Sequence, residues 1–208
     1  MNREKFGVSL NTECRQALSR ERGDHGSTAG LHALTVEQAV SYWLMPCPRA
    51  VDDFEALSKQ ARRGLQGCSL PPHITLYSDH LDNTANAINR LSQVAEGRRP
   101  LQLCPTAIEA GPLFTMSLIL RFAAGEELIH WFTRLRARSP NRLDCQLRPH
   151  LSLLYSSETL TAKQAMAEQL PLPGPALFNR LAVVVHPLTI STDADIAAVS
   201  TLHEHTLA

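Results

Sequence analysis

The sequence predicts an α+β fold that is bilobal and duplicated, with antiparallel sheets lining a central cleft, helices outside, and a pseudo-twofold between the lobes. Three observations predict it. Strand-forming and helix-spaced runs alternate irregularly, unlike the regular alternation of a parallel α/β sheet. One short phrase is written twice, as Pro72-His73-Ile74-Thr75-Leu76-Tyr77-Ser78 and as Pro149-His150-Leu151-Ser152-Leu153-Leu154-Tyr155-Ser156. The chain has 208 residues, 44% of them hydrophobic, enough for one domain or two small lobes sharing a core.

Residues 1–36 are polar, carry Gly23, Gly26 and Gly30, and show no sustained periodicity. They read as a flexible N-terminal extension with a short helix over 13–20, and residues 37–208 as the two-lobed body. The run Val40-Ser41-Tyr42-Trp43-Leu44-Met45, stopped by Pro46 and Pro48, is a buried strand. Apolar residues at Val51, Phe54, Leu57, Ala61 and Leu65 have helical spacing, with Gly64 and Gly67 marking the end. The first His phrase follows as a strand. Residues 81–95 form a second helix, with Asp82 as N-cap and Gly97 as C-cap. Residues 101–108 and 114–122 are expected as two strands of a hairpin around Gly111-Pro112. A third helix covers 126–138, the second His phrase is a strand, and a fourth helix covers 161–170. Residues 177–188 contain a β-branched core, Leu181-Ala182-Val183-Val184-Val185, and form a buried strand. Residues 199–207 close the sheet as an edge strand.

Composition narrows the function. Lys+Arg and Asp+Glu are both 20, so no global basic excess exists to hold duplex nucleic acid by counterion release. A small substrate or a nucleic-acid end is expected instead. Cys14, Cys47, Cys68, Cys104 and Cys145 are odd in number and include no Cys-x-x-Cys pair, so neither a disulfide framework nor a zinc site is expected. Scattered thiols, a polar N-terminus without a signal-peptide core and no long apolar run point to a cytoplasmic protein without membrane contact. A monomer is expected.

In a strand, side chains two apart share a face, so each phrase puts an imidazole beside an alcohol: His73 with Thr75, and His150 with Ser152. Pro72 and Pro149 lack the N–H of a ladder bond and belong at strand starts, which places both histidines at strand mouths. Histidine gives and takes protons near neutrality. Opening a cyclic phosphodiester such as a ribose 2',3'-cyclic phosphate needs one base for water and one acid for the departing oxygen, on opposite sides of phosphorus. Two facing histidines supply that pair, and Thr75 and Ser152 would hydrogen-bond the phosphate oxygens. No cofactor is required. A metal site is not expected, because neither histidine has carboxylate or cysteine partners at ligand spacing. Tyr77 and Phe114 are candidates to stack on a nucleobase. Arg121 and Arg148 read as solvated strand-end charges, and His80, His130 and His186 as surface or satisfied histidines.

These residues resemble the signature of the 2H phosphoesterase superfamily, two His-x-Thr/Ser-x motifs in apolar surroundings. Leu70-Pro71-Pro72-His73-Ile74-Thr75-Leu76 and Arg148-Pro149-His150-Leu151-Ser152-Leu153-Leu154-Tyr155 look most like the plant and yeast cyclic phosphodiesterases, as does Tyr42-Trp43-Leu44-Met45-Pro46. The resemblance implies a cleft between lobes, His73 as general acid, His150 as the base that activates water, and Thr75 and Ser152 on the phosphate. It implies that Tyr155 touches the phosphate too. It implies opening of 2',3'-cyclic nucleotides to 2'-phosphates, as a 2',3'-cyclic-nucleotide 3'-phosphodiesterase, with ADP-ribose cyclic phosphate as a further family substrate. The substrate partner is then a small nucleotide cyclic phosphate or a short RNA 3' end.

Two alternatives stand beside it. One is a relative that acts on RNA ends, trimming a cyclic phosphate or joining 2'-5' ends. ATP-dependent joining needs a nucleotidyl-accepting lysine, but Lys5, Lys59 and Lys163 are the only lysines and none sits in a Lys-x-Asp-Gly context. No Gly-x-x-x-x-Gly-Lys loop is present either. The other is a non-catalytic nucleotide binder that uses the groove only for recognition; loss of a histidine would be its usual sign, and both are present.

Overall fold

The computed structural model describes residues 37–140 and 146–208. The expected N-terminal extension and its short helix, with Cys14 and Cys145, lie outside the described residues. Eight strands and five helices follow in order: β1 (Gln38–Pro46), α1 (Pro48–Ala61), β2 (Ile74–His80), α2 (Thr84–Ala95), β3 (Leu101–Leu103), β4 (Pro105–Ala110), β5 (Leu118–Phe122), α3 (Glu126–Arg138), β6 (His150–Leu154), α4 (Leu160–Gln169), β7 (Ala176–Pro187), α5 (Asp193–Ala197) and β8 (Ser200–Thr206). A 3₁₀ turn, Phe114–Met116, precedes β5.

All pairings are antiparallel. The sheet runs β3-β7-β1-β2-β6-β5-β4, and β8 also pairs with β7. Its two halves meet at one pair of residues, Ile74 of β2 opposite Leu151 of β6. Each of these follows a phrase histidine, so the two His phrases flank a local twofold at the middle of the sheet. The expected α+β class and duplicated antiparallel arrangement are thus what the chain adopts.

One face of the sheet is the core. Ile74 and Leu151 point into it with Phe54 and Leu57 of α1, Leu91 of α2, and Trp131 and Leu135 of α3. Phe54, Phe122 and Phe178 meet with ring centroids 5.7 to 6.5 Å apart, fastening α1 to both halves. All four longer helices cover this side, which leaves the opposite face to carry the polar residues of the His phrases.

Most predicted elements sit where the sequence put them, and the differences have local causes. The strand expected over 101–108 is split by Pro105: Leu101–Leu103 pairs with β7, whereas Pro105–Ala110 pairs with β5. The strand expected from 114 begins at Leu118, because Phe114–Met116 turns as a 3₁₀ segment. Asn83 caps α2, its side chain accepting from the Ala85 and Asn86 amides, and the expected cap, Asp82, instead pairs with Arg90. Gly97 does follow that helix in the left-handed region, with φ of 67°. The helix α5, five residues long, is too short for apolar spacing to mark it in the sequence. Leu103 of β3 pairs with Ala176 of β7, so segment 104–175 leaves and rejoins the sheet at one place.

Among the described residues, no helix is long and apolar enough to cross a membrane.

Candidate active site

His73 closes the loop before β2 and His150 opens β6. Because Ile74 and Leu151 face the core, His73, Thr75, His150 and Ser152 lie on the opposite face of two adjacent antiparallel strands. The sequence phrase thus becomes a cluster of four. The two histidines are held identically. Nδ1 of His73 donates to the Pro71 carbonyl at 2.7 Å, and Nδ1 of His150 donates to the Arg148 carbonyl at 2.9 Å. Each bond fixes the ring and leaves Nε2 as the nitrogen that can meet a substrate. Both residues are buried, each 7% exposed. Burial pushes the His73 pKa down to about 3 against the Pro71 carbonyl, which favours the cation, and a proton on His150 or His186 would also push it down. Burial lowers His150 as well, and Arg121 adds to that effect while Glu109 opposes it. Both imidazoles are therefore neutral at pH 7 in the free protein.

Side chains from neighbouring strands complete the site. Trp43 of β1 lies opposite Thr75 and stacks on His73, with ring centroids 3.5 Å apart and planes inclined by 9°. On the other side, Arg121 of β5 lies opposite His150 and forms a two-point ion pair with Glu109 of β4, at 2.6 and 3.3 Å. A narrow pocket of about 20 Å³ is lined by His73, Thr75, Trp43, Ser41, Thr115, Tyr155 and His186, with Leu70 and Ile190. Ser152 donates to the Thr115 carbonyl at 3.3 Å. Residues 188–199 fold over this side: Ile190 and Ile196 pack on Tyr155, and Val199 on Trp43. The Cys68 thiol ties down the same segment by donating to Asp193 at 3.2 Å.

The predicted residues fall into two groups. His73, Thr75, His150 and Ser152 share the cluster face, and Tyr155 joins His73 and Thr75 at the pocket. Phe114 packs against Tyr155, 5.9 Å between ring centroids, at the edge of this site. Tyr77 does not belong to it. Strand periodicity sets Tyr77 on the same face as His73 and Thr75, but the β1–β2 register shifts between Thr75 and Tyr77. That bulge turns Tyr77 into the core, 0% exposed and packed edge-on to Phe132, where it cannot stack on a base. Arg121 is not a solvated strand end; it is the charged neighbour of His150. Arg148 contributes its carbonyl.

Of the polar and aromatic residues that line the pocket, Trp43, Ser41, Thr115 and His186 escape a sequence reading as site residues. Trp43 looks like core; only the register shows that it faces Thr75. Ser41 and His186 form a buried chain, His186 Nε2 to Ser41 Oγ at 2.7 Å and Ser41 Oγ to Ser78 Oγ at 2.7 Å, with His186 Nδ1 donating to the Pro187 carbonyl. His186 is satisfied, as expected, but it is satisfied inside the pocket. Its place follows from β1–β7 pairing, which local sequence does not encode.

A wider cavity of about 400 Å³ opens elsewhere, beside the start of α1, and contains none of these residues. Among the described residues, no group of three or more His, Cys, Asp or Glu is arranged to hold a metal ion.

No protein-family model matches the sequence, and no curated protein matches it. Solved structures do match. A phosphoesterase aligns with a TM-score of 0.55 at 12% identity, over 82% of this chain and 98% of its own. Escherichia coli LigT, in complex with 3'-AMP, aligns with a TM-score of 0.53 at 16% identity, over 82% and 98%. TT0787 of Thermus thermophilus aligns with a TM-score of 0.56 at 17% identity, over 81% and 97%. At these identities the likeness is one of fold, and it spans nearly the whole of each neighbour: the chain has the α+β antiparallel fold found in a phosphoesterase and in LigT.

Proposed function

We propose that this chain is a 2H phosphoesterase of the plant and yeast cyclic phosphodiesterase type. It hydrolyses 2',3'-cyclic phosphates of nucleotides to 2'-phosphates, or ADP-ribose 1'',2''-cyclic phosphate to the 1''-phosphate, without a metal. The observation that carries this reading is the matched pair of histidines, each anchored through Nδ1 to a backbone carbonyl, with a hydroxyl two residues on. The phosphoesterase fold supports it, as does LigT having been crystallised with 3'-AMP and with phosphate.

The phosphate sits over the centre of the cluster, its non-bridging oxygens on Thr75, Ser152 and Tyr155. Its negative charge raises the pKa of the nearby imidazoles, so one of them binds a proton as substrate enters. His150, neutral, takes a proton from water, and the resulting hydroxide attacks phosphorus. The bond from phosphorus to the ribose 3'-oxygen breaks, and His73 gives its proton to that oxygen. The product is the 2'-phosphate, and the proton now on His150 returns to His73 through solvent before the next turnover. Each proton transfer contributes about 10²–10⁴-fold. The narrow pocket and the low exposure of both rings favour a small substrate over a long nucleic acid. The same two histidines would serve an RNA 3' end if residues 188–199 gave way.

The test is turnover of 2',3'-cyclic AMP, CMP and UMP and of ADP-ribose cyclic phosphate in EDTA, for wild type, His73→Ala and His150→Ala. EDTA-resistant hydrolysis to the 2'-phosphate, reduced at least about 10²-fold in each variant, is expected. A folded wild type that opens none of them would overturn the reading.

A further inference from the structure

The two halves of the site are not equivalent, and the difference lies next to the histidines. We propose that Trp43 is a positioning residue: its indole face holds the protonated form of His73 and so reserves the role of proton donor for that histidine rather than for His150. This inference rests on the two-histidine reading above and extends it to a residue outside the repeated phrase.

The contact is face to face, 3.5 Å between centroids with only 9° between planes, and both rings are almost fully buried. A neutral imidazole gains dispersion from such a stack. An imidazolium gains, in addition, the attraction of a cation for the electron-rich face of indole, which grows when water is excluded. The contact therefore favours the charged form. The equivalent place in the other half holds no aromatic ring: the residue opposite Ser152 is Ile119, where the residue opposite Thr75 is Trp43. His150 has instead a guanidinium as its neighbour, Arg121, whose charge disfavours an imidazolium and is only partly offset by Glu109.

The other groups facing His73 do not supply this stabilisation. His150 on β6 and His186 on β7 oppose its protonation. Tyr155, Ser41 and Thr115 line the pocket as neutral hydroxyl groups, and none of the lining residues is acidic. Asp193, on the covering segment, accepts from Cys68. The negative charge that brings a proton to His73 is thus the substrate's own phosphate. The Pro71 carbonyl on Nδ1 and the indole on the ring face are the fixed protein groups that favour the cation.

Trp43→Leu removes the aromatic face and Trp43→Phe keeps one. With 2',3'-cyclic nucleotide as substrate, Trp43→Leu is expected to lower kcat by about 3- to 30-fold with KM little changed. Because the donor must be protonated in the complex, the basic limb of the kcat profile moves to lower pH. Trp43→Phe stays close to wild type in both. A second measurement needs no turnover: NMR titration of the His73 and His150 ring protons, with and without saturating inorganic phosphate. Trp43→Leu is expected to lower the His73 pKa and to leave His150 where it is. The proposal is overturned if a folded Trp43→Leu variant keeps the wild-type His73 titration and basic limb, or if Trp43→Phe loses as much as Trp43→Leu. Absence of cyclic-phosphate hydrolysis by wild type would instead sink the functional reading, while the titration would still decide the role of the stack.

Discussion

His73 and His150 stay neutral because they are buried, and that neutrality links the site to folding. In the unfolded chain a histidine titrates at about 6.5, whereas in the fold His73 titrates at about 3. Between those values the unfolded state binds the extra proton, so stability is full above the unfolded pKa and declines as pH falls towards the folded one. His150 acts in the same direction. Thermal melts are expected to show Tm dropping between pH 7 and pH 5, with a smaller drop for His73→Gln. An equal drop in both proteins would mean that His73 is not held neutral. At this scale the sequence is most informative where residues two apart share a strand face: the two histidine–hydroxyl pairs are readable from spacing alone. The same rule misplaces Tyr77, because one bulge in the β1–β2 ladder reverses which face a residue occupies. Trp43 and His186 are unreadable as site residues for a related reason, since their proximity to His73 is a matter of pairing between distant segments.

Among the elements, α2 shows how a polar side chain fastens a helix to the sheet. Arg90 donates through Nε to the Tyr42 hydroxyl at 2.8 Å and through its terminal nitrogens to Asp82 at 2.7 and 3.2 Å. The pairing holds the Asp82 carboxyl down at about 2. Arg90 is 8% exposed and Tyr42 1%, so removing the guanidinium leaves a buried hydroxyl without this donor. Arg90→Met is expected to cost about 1–3 kcal/mol, read as a lower urea midpoint with an unchanged m-value. Turnover under folding conditions should persist, because Tyr42 faces the core and not the cleft. Helix and strand positions are legible because apolar spacing and proline stops are local signals. The split at Pro105 and the short α5 are not, as each depends on which strand or loop offers a partner.

On the scale of the whole molecule, the repeated phrase predicts a duplicated sheet, but not the manner in which the second half is threaded into the first. That is written in the pairing of Leu103 with Ala176, which brings the ends of segment 104–175 together. The segment carries His150, Ser152, Tyr155 and Arg121, and the rest of the chain carries His73, Thr75, Trp43 and His186. Each histidine of the cluster therefore belongs to a separate cassette with its own way in and out. Two molecules that unfold together can trade cassettes on refolding, and each hybrid cleft then draws one histidine from either parent. Co-refolding inactive His73→Ala with inactive His150→Ala is expected to regenerate some fully equipped clefts and measurable hydrolysis, whereas mixing the two folded proteins is not. The genetic counterpart is complementation between two null alleles of a single gene.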